Sequence, residues 1–375
     1  MQETPQESIK VTSPLLPDLE YFNRIVEDIW KRKYLTNNAY YHNLLEEKLC
    51  EYLDVPYISL FNNGTIALIC ALQALDIQGE VITTAYTFAA TAHAIWWNRC
   101  TPVFVDIEPE SLTIDPRKIE AAISERTTAI MPVHVYGTPC NIGAIEEIAK
   151  KFNLKVIYDA AHAFGVTKGG ESILRAGDLS ILSFHATKLF STIEGGAIIS
   201  HTAEMKHHID NLKNFGFRGE TVIEEPGING KLNELQAAFG LAALPKVKSA
   251  VAARKQAAAF YREQLSGLRG LSMLPEFPDV ESNSAYFPIF ISPEFGISRD
   301  CLYEKLKSAN IYGRRYFYPL ISEFEPYSQL PSANPENLPN AVKAASEVIC
   351  LPMHHELTVE TLRYVTDIII SQGVM

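Results

Sequence analysis

Residues 181–196 have the sequence ILSFHATKLFSTIEGG, an apolar run followed by a lysine and then an acidic, glycine-rich turn. The run predicts a buried strand over Leu179–Phe184, so Lys188 is expected near the carboxyl end of a strand, where open α/β sheets bind their ligands. A partly buried lysine in such a place has a lowered pKa and can form a Schiff base with an aldehyde cofactor. The alternative is an ordinary solvated lysine, which is the usual environment of this residue.

On both sides of this stretch, short apolar strands alternate with longer amphipathic helices. The alternation is typical of an α/β domain whose mainly parallel sheet is covered on both faces. The expected strands are Tyr57–Phe61, Glu80–Thr84, Pro102–Asp106, Thr128–His134, Lys155–Asp159, Leu179–Phe184 and Ala197–Ser200. The expected helices include Thr65–Leu75, Ala89–Trp97, Pro116–Ile123 and Asn141–Phe152. The sequence therefore predicts a mostly parallel sheet built from these seven strands.

A second candidate group ends the strand KVIYD, where Asp159 is followed by small residues. Pyridoxal phosphate chemistry needs an acid against the pyridinium nitrogen, because a protonated ring is the better electron sink. The competing interpretation is an aspartate that caps a helix after the strand.

The third candidate is a turn between a strand and an Ala- and Leu-rich helix, in FNNGTIALICALQAL. Gly64 and Thr65 open this helix and offer backbone N–H groups, a hydroxyl and the positive end of the helix dipole to a phosphate. An ordinary helix cap would have the same sequence, because this motif is much weaker than a Walker loop.

Composition and charge exclude several classes of protein. The chain has 375 residues, of which 47% are hydrophobic, and this fits a folded protein of about two domains. The formal net charge of −11 disfavours binding to nucleic acids or anionic membranes. Six scattered cysteines form no zinc motif, so no metal site is expected, and they suit a reducing cytoplasm. We expect no signal peptide and no membrane span, because no apolar run approaches ~18 residues.

The C-terminal part of the chain predicts a second, smaller domain. Residues 234–260, ELQAAFGLAALPKVKSAVAARKQAAAF, are rich in helix formers and predict a long helix or a pair broken near Pro245. A strand at Ala285–Ile291 and helices at Asp300–Ala309 and Val359–Ser371 follow. We therefore expect a large domain over 11–245 and a smaller α+β domain over 246–375.

Taken together, the lysine, the aspartate and the Gly-Thr turn supply partners for the aldehyde, ring nitrogen and phosphate of pyridoxal 5′-phosphate. With them the chain resembles the DegT/DnrJ/EryC1/StrS family of sugar-nucleotide aminotransferases, which have the fold of fold-type I pyridoxal phosphate enzymes. The resemblance runs from Val11 to near Ile370 and is sharpest where SFHATK and EGG match the family's SFHxxK…GEGG. It implies an enzyme that needs pyridoxal 5′-phosphate.

The resemblance also implies roles for cofactor-binding residues. Lys188 would carry the cofactor and then serve as base and acid for the proton shift, and Asp159 would pair with the pyridinium nitrogen. Gly64, Thr65 and Ser183 would hold the phosphate. For Ser183 the alternative is a hydroxyl bonded to the backbone at a strand end.

Three further positions match the family's cofactor site. Phe88, in AYTFAATAHA, corresponds to an aromatic residue that stacks on the ring, although a lone Phe is more often core. His162 corresponds to the position beside the ring hydroxyl, with a structural histidine as its alternative. GINGKLNELQAAFG resembles the family's GxNxRMxELQAAxG, so Asn229 would reach the cofactor phosphate of a neighbouring subunit in a homodimer with shared sites. Lys231-Leu232 replaces the usual Arg-Met, and TIEGG replaces GEGG, which affects loop detail.

Two stretches match the lining of the family's substrate pocket, and they make Phe217, Arg218, Tyr316 and Tyr318 the expected substrate-binding residues. Some members carry histidine in place of the lysine and dehydrate their substrates, which Lys188 excludes here. Residues 47–65 and 79–95 look closest to enzymes that aminate the 4-keto group of dTDP-4-keto-6-deoxyglucose.

The function implied is transfer of an amino group from L-glutamate to this keto sugar, giving dTDP-4-amino-4,6-dideoxyglucose. Such amino sugars are commonly used in surface polysaccharides such as the O-antigen of lipopolysaccharide. A 3-keto sugar or a UDP-linked 4-keto sugar is the main alternative substrate. A noncatalytic nucleotide-sugar-binding relative would not need Lys188, Asp159 and Thr65 together. A nicotinamide-dependent enzyme is disfavoured, because no GxGxxG follows the first strand.

Overall fold

The computed structural model describes residues 7–373 of the chain. Within them the strands are β1 (Ile9–Lys10), β2 (Tyr57–Phe61), β3 (Glu80–Thr84), β4 (Thr101–Val105), β5 (Thr127–Ile130), β6 (Lys155–Asp159), β7 (Thr167–Lys168), β8 (Glu171–Ser172), β9 (Leu179–Ser183), β10 (Gly196–Ser200), β11 (Leu271–Met273), β12 (Val280–Glu281), β13 (Pro288–Ile291), β14 (Ile311–Tyr312) and β15 (Val348–Cys350). The α-helices are α1 (Leu19–Arg32), α2 (Tyr40–Leu53), α3 (Gly64–Ala74), α4 (Ala89–Trp97), α5 (Pro116–Ala122), α6 (Ile142–Phe152), α7 (Ala203–Leu212), α8 (Glu234–Ala243), α9 (Val247–Leu265), α10 (Arg299–Ser308), α11 (Pro339–Glu347) and α12 (Val359–Ile370).

The largest sheet has seven strands in the order β2-β10-β9-β6-β5-β3-β4. Six of them run in one direction, and β10 is antiparallel to both of its neighbours. This confirms the predicted mostly parallel, seven-stranded sheet. The parallel strands all end at the same edge, so the residues that follow β2, β3, β6 and β9 are brought together there.

The strands form because their side chains can be buried on both faces. All five residues of β3 are buried, and so are the residues of β6 from Val156 to Asp159. Helix α3 is apolar nearly all round, and Ala67, Leu68 and Ala71 join β6, β9 and β10 in one core cluster. A second cluster lies on the other face and contains Ile82, Ile130 and Val156. Burial on both faces fixes the sheet and therefore the geometry of its carboxyl edge.

The C-terminal part contains a three-stranded antiparallel sheet, β11-β13-β15. Helices α9, α10 and α12 pack with it around a core that includes Tyr261, Phe295 and Leu302. Pro245 lies in a 3₁₀ turn, Leu244–Lys246, that separates α8 from α9, so the helix pair is confirmed. The boundary between 11–245 and 246–375 stays a prediction, because another core cluster combines side chains from both segments.

Two predicted strands were too long by more than one residue. The strand expected over Thr128–His134 ends at Ile130, because Pro132 has no N–H for the ladder and a 3₁₀ turn begins at Val135. The strand expected over Ala285–Ile291 begins at Pro288. The residues before it leave the sheet, where Asn283 donates hydrogen bonds to the carbonyls of His162 and Phe164. Among residues 7–373, no helix combines the length and the apolar character needed to cross a bilayer.

Candidate active site

A cavity of about 290 Å³ lies at the carboxyl edge of the large sheet. Loops that follow β2, β3, β6 and β9 form its walls, and later segments of the chain close it. Of the residues singled out from the sequence, those that line it are Gly64, Thr65, Phe88, Asp159, His162, Ser183, Lys188 and Tyr316. Residues from distant parts of the chain therefore meet at one site.

Lys188 lies in the loop after β9 and is half-buried at the wall of the cavity. Its Nζ donates a hydrogen bond to the hydroxyl of Tyr286 at 3.3 Å. Burial lowers the pKa of Lys188 to about 8, and the negative charge of Asp159 opposes this shift. Its surroundings are thus those of a reactive amine and differ from those of a solvated surface lysine.

Asp159 ends β6 and is buried beneath the cavity. Its Oδ2 accepts a hydrogen bond from Oγ1 of Thr91 at 2.7 Å, and its Oδ1 accepts one from the N–H of Ala161 at 3.1 Å. Burial raises the pKa of Asp159, while these two donors and Lys188 lower it. Turns follow this aspartate, so it does not cap a helix. A buried, well-oriented carboxylate that faces a cavity fits a protonated ring nitrogen.

The first turn of α3 forms another wall. Asn63 caps the helix by accepting a hydrogen bond from the N–H of Ile66 at 2.8 Å. A Cβ on Gly64 would lie 3.1 Å from Cβ of Ser183, and a Cβ on Gly196 would lie 2.6 Å from the backbone nitrogen of Gly64. Gly64 and Gly196 therefore let the start of α3, the end of β9 and the start of β10 approach one another closely. The free N–H groups of a helix start and nearby hydroxyls fit a phosphate.

Phe88 and His162 complete the predicted cofactor side of the cavity. Phe88 precedes α4 and is 60% exposed, so it does not belong to the core. His162 is buried, and its Nδ1 accepts a hydrogen bond from the N–H of Tyr136 at 3.0 Å. Burial lowers the pKa of His162 well below its ordinary value, so the ring is neutral and Nε2 carries its hydrogen. An exposed aromatic face and a neutral histidine donor both suit a planar, hydroxylated ring.

Four of the predicted residues do not line this cavity. Asn229 is exposed and forms a backbone bridge with Asn214. Phe217 packs against Phe215, and Arg218 pairs with Glu224. Tyr318 is 44% exposed and lines an adjoining groove. The roles given to Asn229, Phe217, Arg218 and Tyr318 stay predictions.

The structure adds two residues that the sequence did not single out: Tyr286 lines the cavity, and the buried Thr91 donates a hydrogen bond to Asp159. Phe317 also lines the cavity and belongs to the stretch Tyr316-Phe317-Tyr318-Pro319 that was expected to line the substrate pocket. A signal for Thr91 was present in the sequence, because it lies in the first turn of α4, the helix that begins directly after Phe88. Tyr286 had no sequence signal, since its place depends on how the C-terminal part packs onto the large sheet.

The residues present thus offer an amine, a buried carboxylate, an anion-binding helix start and an exposed aromatic ring, a set that fits pyridoxal 5′-phosphate. Comparison with known proteins agrees: residues 18–370 match the model of the DegT/DnrJ/EryC1/StrS aminotransferase family. The chain belongs to the DegT/DnrJ/EryC1/StrS aminotransferase family. It is therefore an enzyme whose cofactor is pyridoxal 5′-phosphate.

Two relatives within this aminotransferase family are similar over nearly their whole length, and both are named dTDP-4-amino-4,6-dideoxy-D-glucose transaminase. The protein from Shigella dysenteriae is 53% identical over 97% of this chain and 99% of its own. The one from Escherichia coli is 51% identical over 97% and 99%. A solved structure of DesI, determined in the presence of its TDP-sugar product, superposes with a TM-score of 0.94 at 31% identity, over 99% of this chain and 94% of that one.

Proposed function

We propose that this aminotransferase transfers an amino group from L-glutamate to the 4-keto carbon of dTDP-4-keto-6-deoxyglucose, giving dTDP-4-amino-4,6-dideoxyglucose. The observation that carries the proposal is the amine of Lys188, held half-buried in a cavity that also contains Asp159 and the start of α3. The names of the two relatives at 53% and 51% identity support the choice of sugar. Relatives named for UDP- or GDP-linked sugars are 31–32% identical, which favours the dTDP sugar over the alternatives.

Lys188 is the residue that would hold the cofactor covalently and move the proton during the reaction. Bound pyridoxal 5′-phosphate supplies an electron sink that carries the amino group from one substrate to the other. Because the pKa of Lys188 is lowered to about 8, a larger fraction of its amine is neutral than in an ordinary lysine. A neutral amine can take a proton from substrate carbon and return it at another, which is general base and acid catalysis.

The other residues hold and polarise the cofactor. Asp159 would accept the ring N–H, and its burial strengthens that interaction because water is excluded. The first turn of α3, with Gly64, Thr65 and the neighbouring Ser183, would bind the phosphate. His162 would donate from Nε2 to the ring oxygen, and Phe88 would stack on the ring face. Each role agrees with the side chain's position on the cavity wall.

A groove of about 280 Å³ adjoins the cavity and gives room for the nucleotide part of the substrate. The two share Phe88 and Tyr316, so a ligand can extend from one into the other. Arg315 lies over the rings of Tyr303 and Tyr318, at 4.7 and 5.1 Å from their centroids, and pairs with Asp300 at 2.7 Å. Arginine and tyrosine side chains suit a diphosphate and a base, which supports the predicted roles of Tyr316 and Tyr318.

A homodimer with shared active sites is part of the proposal. Asn229 is exposed on this chain and does not line its cavity, as expected for a residue that serves the site of a second subunit. Exposed aromatic residues near the start of the chain, such as Trp30 at 62% and Tyr34 at 55%, are candidates for burial in such an assembly. The family resemblance further suggests a cytoplasmic enzyme that supplies an amino sugar for a surface polysaccharide such as the O-antigen.

Absorption spectra of the purified, cofactor-loaded protein test this function. L-Glutamate should convert the bound cofactor to its amino form, and dTDP-4-keto-6-deoxyglucose should restore the original spectrum with one amino sugar formed per cycle. Lys188→Ala should lower turnover at least about 100-fold, whereas Lys168→Ala, a surface change, should have no effect. Parallel assays with a UDP-linked 4-keto sugar and a 3-keto sugar identify the substrate. A protein that binds the sugar but never changes its spectrum would be the noncatalytic relative instead.

A further inference from the structure

Two threonine hydroxyls and the Asp159 carboxylate form a continuous hydrogen-bonded chain. Oγ1 of Thr87 lies 2.8 Å from Oγ1 of Thr91, which in turn lies 2.7 Å from Oδ2 of Asp159. Thr87 lines the cavity, whereas Thr91 is fully buried and does not. Thr91 therefore touches neither substrate nor cofactor, and any effect it has on the reaction passes through Asp159.

The direction of the hydrogens in this chain follows from the chemistry of the groups. An ionised carboxylate only accepts, so the single hydroxyl hydrogen of Thr91 is committed to Asp159. In the hydrogen bond between the two hydroxyls, Thr87 must then be the donor and Oγ1 of Thr91 the acceptor. Polarisation along such a chain strengthens the final bond to the charged group. The chain is thus built to stabilise the ionised form of Asp159.

The position of Thr91 on α4 adds a geometric role. Its N–H donates to the carbonyl of Phe88 in the first turn of the helix, so Phe88 and Thr91 are fixed relative to each other. The turn that carries the exposed ring of Phe88 therefore also orients Oδ2 of Asp159. The N–H of Ala161 holds the other oxygen, Oδ1. With both oxygens bonded, the plane of the carboxylate is set with respect to the cavity.

We propose that Thr91 is a positioning residue that orients Asp159 and keeps it ionised against the ring nitrogen of the cofactor. The inference rests on the proposed function for the role of Asp159. The charged group that acts on Asp159 is Lys188, from the loop after β9, which lowers the pKa of the carboxyl; Asp159 in turn raises the pKa of the Cys140 thiol, and the neutral His162 lines the same cavity. Burial raises the pKa of Asp159, and Thr91 is the first of the groups that lower it. Losing this donor moves the shared hydrogen from the ring nitrogen toward the carboxylate and weakens the electron sink.

The test compares Thr91→Val, which keeps the shape and removes the hydroxyl, with Thr91→Ser, which keeps the hydroxyl. Each full-length protein is loaded with pyridoxal 5′-phosphate labelled with ¹⁵N in the ring, and the ¹⁵N chemical shift reports whether the nitrogen is protonated. We expect Thr91→Val to move this shift toward that of neutral pyridine and to slow the glutamate half-reaction about tenfold or more. Thr91→Ser should match the wild type in both measurements. Asp159→Ala shows the ¹⁵N chemical shift of the ring nitrogen when the carboxylate is absent.

Several outcomes overturn the proposal. One is a Thr91→Val protein with the wild-type ¹⁵N shift and rate. Another is equal damage by Thr91→Val and Thr91→Ser in step with a lower melting temperature, which marks a purely structural bond. If Asp159→Ala leaves the ¹⁵N shift unchanged, the assignment of Asp159 fails and the role of Thr91 fails with it. One further outcome separates the two proposals. If the wild type does not react with glutamate but the ¹⁵N shifts of Thr91→Val and the wild type differ as expected, the proposed amino transfer is wrong and the positioning role of Thr91 is supported.

Discussion

Nζ of Lys188 donates a hydrogen bond to the hydroxyl of Tyr286 at 3.3 Å, although the two residues are 98 positions apart in the chain. Tyr286 belongs to the segment before β13. In the same segment, the side chain of Asn283 donates two hydrogen bonds to backbone carbonyls of the loop after β6. The C-terminal part of the chain thereby shields the lysine from water, and this desolvation is the main cause of its lowered pKa. The reactive state of the lysine thus depends on both parts of the fold.

The first prediction concerns the pH dependence of the Lys188 amine. In the cofactor-free protein its pKa of about 8 means that the neutral, reactive fraction rises as pH increases through about 8. An unfolded lysine titrates near ~10.4, so between these values the unfolded state binds more protons and folding stability rises with pH. Competitive acetylation followed by peptide mass spectrometry should give a midpoint near 8 for Lys188. A midpoint equal to that of a free lysine peptide would contradict the structure.

A second prediction separates cofactor stacking from folding at Phe88. Because its ring is 60% exposed, Phe88→Ala should leave the melting temperature nearly unchanged. The lost ring contact should weaken cofactor binding about 2- to 12-fold, which corresponds to ~0.5–1.5 kcal/mol. Phe295→Ala is the matched control. Its ring is fully buried in the core beside the β11-β13-β15 sheet, so its removal should lower the free energy of unfolding by ~3–5 kcal/mol. Unchanged cofactor affinity in Phe88→Ala would exclude stacking.

A third prediction concerns the backbone that forms the phosphate site. A methyl group on Gly196 would lie 2.6 Å from the backbone nitrogen of Gly64 and 2.7 Å from the carbonyl carbon of Asn63. Gly196→Ala should therefore push the start of α3 outward and weaken cofactor binding by about tenfold or more. Gly143→Ala is the control, because nothing lies within 4 Å of its new methyl group, and it should stabilise α6 by ~0.5–1 kcal/mol. Fluorescence titration with the cofactor compares the two.

A fourth prediction tests shared active sites by mixing two inactive subunits. Asn229→Asp should block phosphate binding by charge repulsion, and Lys188→Ala removes the reactive amine. If each site takes Lys188 from one subunit and Asn229 from the other, a mixed dimer contains one site with both residues intact. Co-expressed and separately tagged subunits should then recover about half of the wild-type activity per dimer. Mixed dimers that stay inactive would mean that each site takes both residues from the same subunit.

Much of the fold could be predicted from the sequence because buried parallel strands are continuous apolar runs. The bounds of β2, β3 and β6 were predicted to the residue, and the helix pair around Pro245 follows from proline chemistry. Amphipathic helices α1 and α2 were not predicted, since their sequences, which are rich in charged and aromatic residues, show no simple strand-and-helix alternation. The strand expected at Ala285–Ile291 was too long because tertiary hydrogen bonds pull its first residues toward the site.

The residues of the candidate site also fall into those that the sequence could place and those that it could not. Lys188, Asp159 and Gly64 could be placed because each lies at or just after the end of a predicted strand, and parallel strands end at one edge. Tyr286 could not be placed, because its position depends on packing between distant segments. Asn229 illustrates a different limit: its predicted partner belongs to a second subunit, so its role requires the mixed-dimer experiment.

The two walls of the cavity come from separate lengths of chain, with the chemical groups before residue 200 and Tyr286, Tyr316 and Phe317 after residue 280. The groove that would receive the nucleotide continues the second wall through Arg315 and Tyr318. Mutations of groove residues such as Arg315 and Tyr318, which do not contact Lys188, should therefore change which sugar is accepted while the amino-donor half of the reaction is preserved. Such an arrangement lets a gene duplicate acquire a new sugar substrate without rebuilding its catalytic machinery.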